Sequence, residues 1–321
     1  MLELADVLGD QLSDEVKRTF TYGQKVVPMG GREIFNPETT DKFTEVFNSG
    51  IVDKFGARTG DGENFYNVDP TDGDQLTLTQ YKVTISMEVT EMVQFFDQYG
   101  IESRLLSMSE GIGTGLVKRM EMDLQQFIKN GSAGTYTDAD GNVITVQSAD
   151  AVSLFSGSHT QNGTATTFDN VGAIAFGQTG IQESLNLFRK FLNHDGQRSD
   201  RRPNIIYTTS EASLTELVGQ YATAQKTPED ALNAPNMYQG KYQHVVLDYL
   251  DTDTAGADDS ATAAYWGMAN RRGPNMKLRI SKKPEIMPGE IVQRNNNVLV
   301  KGQVWYSLGV HDPIDITLHT A

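Results

Sequence analysis

The sequence predicts an α+β fold, in which runs of strands and runs of helices occupy separate parts of the chain. Three observations lead to this prediction. Residues 101–131 carry the longest helical signal, residues 81–89 alternate strictly between apolar and polar side chains, and residues 181–321 hold runs of strands beside short helices. The long stretch repeats every three to four residues and the alternating stretch every two, which are the periods of helices and strands.

The composition narrows the classes of function. The chain has 321 residues, a formal net charge of −15 at pH 7 and no cysteine. The absence of cysteine excludes a disulfide framework, thiol chemistry and a thiolate metal site. No apolar run approaches the ~18 residues of a membrane span, and the acidic first residues do not form a signal peptide, so we expect no membrane partner. The acidic balance argues against tight nucleic-acid binding but permits weak, non-specific contact.

Residues 1–54 are interrupted too often by Gly and Pro to form a compact domain. Ordering a backbone of this length costs on the order of 50–100 kcal/mol, which its few apolar residues cannot offset. We therefore expect an extended arm that becomes ordered on a neighbouring molecule; the alternative is a flexible leader. Its helical signals are a short amphipathic stretch (Leu4, Leu8, Leu12, Val16) and a patch at residues 43–47.

Residues 55–92 predict an extended, two-armed loop of the β-hairpin kind. Its first part, residues 56–75, is rich in Gly, Asp, Asn and Pro. Loops of this length without structure of their own are usually functional or disordered. Phe65 and Tyr66 are the aromatic residues of this part, and we expect them to contact a neighbour.

The second part of this loop is the alternating strand, residues 81–89. Its apolar residues are Tyr81, Val83, Ile85, Met87 and Val89, which predicts a half-buried strand. The apolar residues at 76 and 78 have the opposite parity, so we expect a bulge near residues 79–80.

The long helix is predicted to carry one apolar stripe and to end at Asn130-Gly131, since both residues tolerate left-handed dihedral angles. Its length is about 40 Å at ~1.5 Å per residue, which suits a support across which other elements lie. The polar side of the helix includes Glu121 and Gln125. The stripe consists of Leu105, Met108, Ile112, Leu116, Met120, Leu124 and Phe127.

Three glycines, Gly111, Gly113 and Gly115, interrupt this helix. They resemble part of a dinucleotide-binding fingerprint, but the third glycine is replaced by Leu116 and no strand leads into the motif. We therefore expect a bend in the helix or a close approach of another backbone.

The second half of the chain predicts regular α+β structure after a loop-rich region. Residues 137–149 begin like a calcium loop, but lack the required glycine and final glutamate, so we expect a plain turn. Pro284 and Pro288 are expected to break the chain. The predicted helices cover 181–192 and 211–221, capped at Ser210, and the strands 204–209, 244–250, 264–269, 276–281, 290–294, 298–309 and 312–318.

No catalytic, cofactor-binding or metal-binding constellation is predicted. The five histidines show no zinc-ligand spacing. Ser158 and His159 are neighbours that would point to opposite faces of a strand, so we expect a packed or turn-forming histidine rather than a catalytic pair. The acidic loop at residues 251–260 is expected to be solvated, with weak binding of a divalent cation as the alternative.

Basic pairs adjoin turns at Arg201-Arg202 and Arg271-Arg272. Solvated turns are one interpretation. The other is that these arginines are inter-subunit charge candidates, which meet the acidic surface of a second copy.

The order of arm, loop, long helix and α+β region resembles the major capsid protein of tailed bacteriophages. This is the Hong Kong 97 fold, shared with encapsulins and herpesvirus shells. Three short motifs add to the resemblance, and the first is similar to a stretch of Mu-like major head subunits. The motifs are Leu154-Phe155-Ser156 followed by His159-Thr160, Pro203 to Ser210 before a helix, and Gly309-Val310-His311-Asp312-Pro313 near the end.

The resemblance implies a division of the chain into the parts of that fold. The long helix would be the spine, bending at its three glycines when the shell matures. The implied parts are an N-terminal arm (1–54), an extended loop (55–92), a peripheral domain (93–180) with the spine helix (101–130), an axial domain (181–283), and closing strands shared by both domains (284–321).

The function implied by the resemblance is that of a shell subunit, which forms hexamers and pentamers around double-stranded DNA. The implied partners are copies of the chain itself, portal, scaffolding and decoration proteins, and weakly bound DNA. The implied location is the virion, after assembly in the cytoplasm of a host bacterium. Alternatives are an encapsulin-type nanocompartment shell of the same fold and a tail-associated or extracellular binding protein; we do not expect an enzyme.

Two departures from the family affect what is carried over. No helical scaffolding region precedes the arm, so we expect either a separate scaffolding protein or a processed N-terminus. Some relatives crosslink a lysine of the loop to an asparagine of a neighbour. Residues 56–75 contain no lysine, so this chemistry is not expected here.

Overall fold

The computed structural model describes residues 10–48, 74–90, 101–160, 167–192, 197–228, 235–292 and 297–320. No helix in these ranges is long and apolar enough to cross a bilayer. The helices are α1 (Asp10–Val26), α2 (Gly31–Ile34), α3 (Ile101–Lys129), α4 (Gln178–Lys190) and α5 (Ala212–Thr223).

Strands make up five sheets in the described ranges. The strands of the two larger sheets are β1 (Asn36–Thr39), β4 (Tyr81–Val89), β9 (Val171–Gly172), β10 (Ile205–Thr208), β11 (Gln243–Val246), β12 (Tyr265–Ala269), β13 (Met276–Val292), β14 (Asn297–Val310) and β15 (Leu318–Thr320). The others are paired as β2 (Thr44–Asn48) with β3 (Gln75–Thr79), β5 (Thr135–Thr137) with β6 (Val143–Thr145), and β7 (His159–Thr160) with β8 (Thr167–Phe168).

The predicted long helix is confirmed as α3, a continuous helix of 29 residues. Its apolar stripe packs on a four-stranded sheet with the order β1-β13-β14-β4. Ile112, Leu116, Met120 and Leu124 are fully buried there. The predicted strand β4 is also confirmed, and its residues alternate in burial because it pairs with β14 at one edge of this sheet.

The described part of the N-terminal segment is folded onto its own chain, which corrects the expectation that it waits for a neighbour. Helix α1 lies on α3, and strand β1 pairs in parallel with β13. Phe20, Ile34 and Phe35 are buried in the core with the stripe of α3. The sequence did not predict that these three side chains belong to the core, because they come from separate short elements and share no periodic pattern.

The predicted helical patch at residues 43–47 is wrong, since Thr44–Asn48 is strand β2, paired with β3. The predicted bulge at residues 79–80 is replaced by a change of partner: β3 pairs with β2, whereas β4 pairs with β14. Gln80 lies at this change, with its side chain buried and donating to Ser307 Oγ at 3.1 Å.

Phe65 and Tyr66 lie outside the described residues, and the domain boundaries stay predictions.

The second large sheet has five strands in the order β11-β10-β12-β15-β9. Strand β10 is parallel to β11 and antiparallel to β12. Tyr207 on one face joins the core that contains the end of α3. Ile206 on the other face joins a second core with residues of α4 and α5. The chain end thus serves both sheets, because β14 belongs to the first and β15 to the second.

The expected break at Pro284 and Pro288 is also wrong, because β13 continues through both residues. Its register against β14 shifts between Lys282 and Glu285 and again between Met287 and Glu290. A proline has no N–H to donate, so it is tolerated where the ladder is irregular or where the strand is at an edge. Among the described strands, β1 alone pairs with the second side of β13, at residues 277–280.

Candidate assembly surfaces and the spine helix

The three glycines of α3 allow close packing on two sides of the helix. A Cβ added at Gly113 would overlap the carbonyl oxygen of Phe20 in α1. One at Gly111 would lie 3.2 Å from Met87 Cε, and one at Gly115 would lie 3.0 Å from Ile85 Cδ1, both in β4. The geometry therefore fits the close-approach alternative, while a role in bending stays a proposal.

The matching glycine of the other helix, Gly23, was not predicted from the sequence. A Cβ added at Gly23 would overlap the carbonyl oxygen of Glu110, and Thr114 Oγ1 donates to the Gly23 carbonyl at 3.2 Å. Gly23 and Gly113 thus let α1 and α3 approach until their backbones are in contact. The spacing of residues within one helix could not predict this pair, because each glycine makes room for the backbone of the other helix.

A buried polar network joins α3 to the strands beneath it. Asp123 accepts a hydrogen bond from Tyr306 of β14 at 2.5 Å and a longer one, 3.4 Å, from Tyr81 of β4. Arg119 lies 3.0 Å from the second carboxylate oxygen of Asp123. Burial raises the pKa of Asp123, while the Tyr306 hydroxyl and the Arg119 charge oppose this increase. Burial also raises the pKa of Tyr306 well above its ordinary value, so the phenol remains a donor.

The predicted turn at residue 138 is confirmed, and Arg119 supplies its positive charge. Asp138 accepts from the backbone N–H groups of Asp140 and Asn142 at 3.0 and 2.7 Å. The Arg119 guanidinium lies 2.9 Å from the Asp138 carboxylate and 3.0 Å from that of Asp140. An arginine thus occupies the position that a cation would take between these acids.

Glu121 was expected on the polar side of α3 but is fully buried, because α2 covers that side. Its carboxylate accepts from the Gly31 N–H at 2.8 Å and lies 3.2 Å from Arg32 Nε. Burial raises the pKa of Glu121 to about 7, even though the Arg32 charge and the Gly31 hydrogen bond act in the other direction. This acid therefore titrates near neutral pH.

The motif at residues 154–160 has a structural role. His159 is fully buried, with Nδ1 2.9 Å from Asp150 and Nε2 3.1 Å from the Leu154 carbonyl. Asn170 donates to the same carbonyl at 2.8 Å and accepts from the Ser156 N–H at 2.9 Å. The predicted packed histidine is confirmed, and the motif holds a loop against β8 and β9.

The four candidate arginines lie at one end of the five-stranded sheet, and three have partners within the chain. Arg271 and Arg272 pair with Glu33, at 2.5 and 3.6 Å. Arg201 lies 3.7 Å from the buried Asp315, and Arg202 is exposed. These contacts lie within one chain, and a contact of the arginines with a second copy stays a proposal.

The acidic loop at residues 251–260 is held by its own hydrogen bonds. Asp253 accepts from the N–H groups of Ala255 and Ala257, each at 2.8 Å. Asp259 pairs with Lys129 at 2.8 Å. Ser210, expected to cap α5, instead donates to Asp251 at 2.8 Å. In the described part of the chain no group of three or more acidic or histidine side chains is arranged to hold a metal ion.

Two surfaces leave large apolar side chains in solvent. On α1, Tyr22 is 61% exposed and Val26 is 55% exposed. At the base of the β2–β3 pair, Phe43 is 62% exposed and Val46 is 53% exposed. Exposed apolar side chains that lie near one another on a surface are typical of protein–protein contact sites.

The fold is similar to those of solved capsids. A chain of the capsid of an empty GTA particle is 11% identical, with a TM-score of 0.52 over 91% of this chain and 90% of that one. The virus-like particle from Pyrococcus furiosus is 8% identical, with a TM-score of 0.51 over 95% and 98%. The mature capsid of bacteriophage PhiM1 is 10% identical, with a TM-score of 0.50 over 90% and 86%.

No protein-family model matches the sequence, and no curated protein matches it significantly. The structural likeness, at such low identity, establishes the fold alone. The chain has an α+β fold of the Hong Kong 97 type, as the sequence analysis predicted. The similarity to Mu-like head subunits stays a prediction.

Proposed function

We propose that the chain is the major capsid protein of a tailed bacteriophage. It assembles with copies of itself into the hexamers and pentamers of an icosahedral shell that encloses double-stranded DNA. The observation that carries the proposal is the match of nearly the whole fold, over 91% of this chain and 90% of the other, to a chain of the capsid of a GTA particle.

The exposed apolar side chains support assembly into a shell. Tyr22 and Val26 of α1, and Phe43 and Val46 near β2, would lose water contact when subunits meet. Burial of apolar area stabilises such contacts by about 25 cal/mol per Å². In this proposal, the loop that contains Phe65 and Tyr66 lies across a neighbouring spine helix.

The proposal assigns the parts of the fold as the resemblance implied them. Residues 1–54 act as the arm, 55–92 as the extended loop, 93–180 as the peripheral domain, 181–283 as the axial domain and 284–321 as the closing strands. The spine helix bends near Gly111, Gly113 and Gly115 during expansion of the shell. A variant with alanine at Gly111 and Gly115, which leaves the contact of Gly113 with α1 unchanged, should assemble but fail to expand, and normal expansion would contradict this role.

The partners in this proposal are copies of the chain, together with portal, scaffolding and decoration proteins. Contact with the packaged DNA is weak and non-specific, because a chain of net charge −15 repels phosphates. The protein is located in the virion and assembles in the cytoplasm of the host bacterium. The second candidate, a nanocompartment shell of the same fold, is supported by the likeness to the P. furiosus virus-like particle.

The test is to purify the protein and examine it by negative-stain electron microscopy and light scattering. Closed shells or six-fold capsomers support the proposal, and a stable monomer at high concentration contradicts it. A Phe43→Asp variant should lose assembly while keeping its helical circular dichroism, whereas the matched Phe43→Leu variant should assemble. Shells that carry DNA favour the phage, and shells that carry a protein cargo favour the nanocompartment.

A further inference from the structure

One end of the five-stranded sheet carries a groove lined by arginines. The groove lies where β10 begins and has a volume of about 520 Å³. Its cationic residues are Arg189, Arg198, Arg201 and Arg202, and its apolar wall includes Phe188 and Tyr242. We call it the arginine groove. It concentrates positive charge on a chain whose net charge is −15.

The charge of the arginine groove is only partly neutralised within the chain. Arg201 lies 3.7 Å from Asp315. In the ranges that the structure describes, Arg189, Arg198 and Arg202 have no acidic side chain within ion-pair distance. Asp200 also lines the groove, so four cations face one solvent-exposed acid.

The opposite end of the same sheet is acidic. Strand β10 runs parallel to β11, so the loops that follow both strands meet at the end away from the groove. The Ser210 hydroxyl donates to Asp251 at 2.8 Å, which joins these two loops. Lys129 also lies at this end and pairs with Asp259 at 2.8 Å. The acidic end comprises Glu211, Asp248, Asp251, Asp253, Asp258 and Asp259.

Like charges are crowded at the acidic end. Burial raises the pKa of Asp248, and the nearby charge of Asp251 raises it further. Asp253 and Asp258 are exposed. A positive partner would relieve this repulsion, because opposite charges brought together stabilise both ionised forms.

The two ends act as separate electrostatic surfaces. The four residues of β10 span ~13 Å at ~3.3 Å per residue, which exceeds the Debye length of ~8 Å at physiological ionic strength. Two different surfaces at opposite ends of one element can form a heterologous, head-to-tail contact. Such contacts generate closed rings when the rotation between copies permits closure.

We infer that the arginine groove of one subunit binds the acidic end of a neighbouring copy, and that this contact orders the subunits head to tail around a ring. The inference rests on the proposed function, because it names the partner of a surface within the capsomer. The occupant is a second copy of this chain, since each copy carries both complementary surfaces. The contact also fixes the relative orientation of neighbouring subunits, because two grooves or two acidic ends repel each other.

A nucleic acid is the other occupant that an arginine groove could take. The groove favours a protein segment, because its apolar wall of Phe188 and Tyr242 suits side chains. The acidic balance of the rest of the chain opposes nucleic-acid binding further.

The test compares charge reversal with charge conservation in the full chain. Arg198→Glu with Arg202→Glu should reduce the assembled fraction by about tenfold or more, which corresponds to at least ~1.4 kcal/mol. The matched control, Arg198→Lys with Arg202→Lys, should retain most of the assembly. Adding Glu211→Lys and Asp258→Lys to the reversed chain supplies two new cations on the acidic end for the two new acids of the groove, and should recover part of the lost assembly. Light scattering and electron microscopy measure the assembled fraction.

The outcomes separate this inference from the proposed function. If wild type forms no capsomers or shells, the proposed function fails. If the wild type and the reversed chain assemble equally, the head-to-tail contact is wrong while the shell function stands. If the reversed chain assembles normally and loses only DNA binding, the groove binds nucleic acid instead. If the reversed chain does not fold, the test uses capsomers of the wild-type chain at increasing salt concentration. These capsomers should dissociate as NaCl rises from about 0.05 to about 1 M, because salt then screens the charges strongly. Capsomers that stay intact over this range would overturn the inference.

Discussion

The Tyr306 hydroxyl donates a 2.5 Å hydrogen bond to Asp123, and so joins the central strand β14 to the long helix α3 inside the core. Both residues are buried, so water cannot replace a lost partner. A hydrogen bond to a buried charge contributes more than a neutral one, at about 1.5–3 kcal/mol.

Tyr306→Phe should therefore lower the free energy of unfolding by about 1.5–3 kcal/mol, as measured by urea denaturation. The matched variant is Tyr81→Phe, which removes a hydroxyl from the same carboxylate at the longer distance of 3.4 Å. We expect a loss below about 1 kcal/mol for this variant, because so long a hydrogen bond is weak. If both variants lower the free energy of unfolding equally, the shorter hydrogen bond contributes no more to stability than the longer one.

Gly113→Ala and Gly111→Ala should have opposite effects. An added methyl group at Gly113 overlaps the Phe20 backbone, and overpacking of this kind costs about 1–3 kcal/mol. At Gly111 the nearest atom is the mobile end of Met87, so the gain in helix propensity of up to about 1 kcal/mol should dominate.

Thermal unfolding of the two variants checks this prediction. Limited proteolysis adds a local measurement, since only Gly113→Ala should expose α1 to cleavage. Equal stability of both variants would contradict the close approach of α1 and α3 as the reason for Gly113.

Glu121 should make the subunit lose stability as the pH rises. Its pKa is about 7 in the folded chain, against an ordinary value of 4.5. The stabilising contribution is complete below pH 4.5, where the group is protonated in both states, and is lost as the pH rises through 7. The difference corresponds to about 3 kcal/mol. Glu121→Gln should remove this slope, as measured by urea denaturation of unassembled subunits at several pH values.

His319 should act in the opposite direction over nearly the same range. It is fully buried and stacked on Trp266, with ring centroids 4.3 Å apart. Burial lowers its pKa to about 4 from an ordinary 6.5. Its contribution is therefore complete above pH 6.5 and is lost as the pH falls through 4.

In the wild type, the pH dependence of stability from Glu121 opposes that from His319. Variants that remove one group at a time should separate the two effects. His319→Phe keeps a planar ring beside Trp266 and should leave a chain that loses stability from pH 4.5 to 7. Glu121→Gln should leave one that loses stability from pH 6.5 to 4. A flat profile in both variants would mean that neither group titrates as its burial implies.

The parts predictable from the sequence were those with a regular local pattern. Helix α3 and strand β4 were predicted within a few residues, because each repeats its apolar side chains over several periods. His159 was predicted to be packed, but its partner Asp150 was not, because a hydrogen bond between loops has no period. The patch at residues 43–47 was misread as a helix, since five residues are too few to separate the two periods.

The candidate surfaces were predictable only in part. Arg201 and Arg202 were identified as a basic pair beside a turn, but the groove that joins them to Arg189 and Tyr242 comes from residues distant in the sequence. Glu121 was assigned to solvent, because nothing within α3 reveals that α2 covers it.

The sequence by itself determined the long helix, the alternating strand, the acidic balance and the order of parts that is typical of a capsid subunit. Only the tertiary structure decided that residues 10–39 pack on their own chain, that Gly23 meets the spine, and that the five-stranded sheet has one basic and one acidic end. The physical reason is that side-chain periodicity records which face of an element is covered. It does not record which distant segment covers that face, since that choice depends on contacts between residues far apart in the chain.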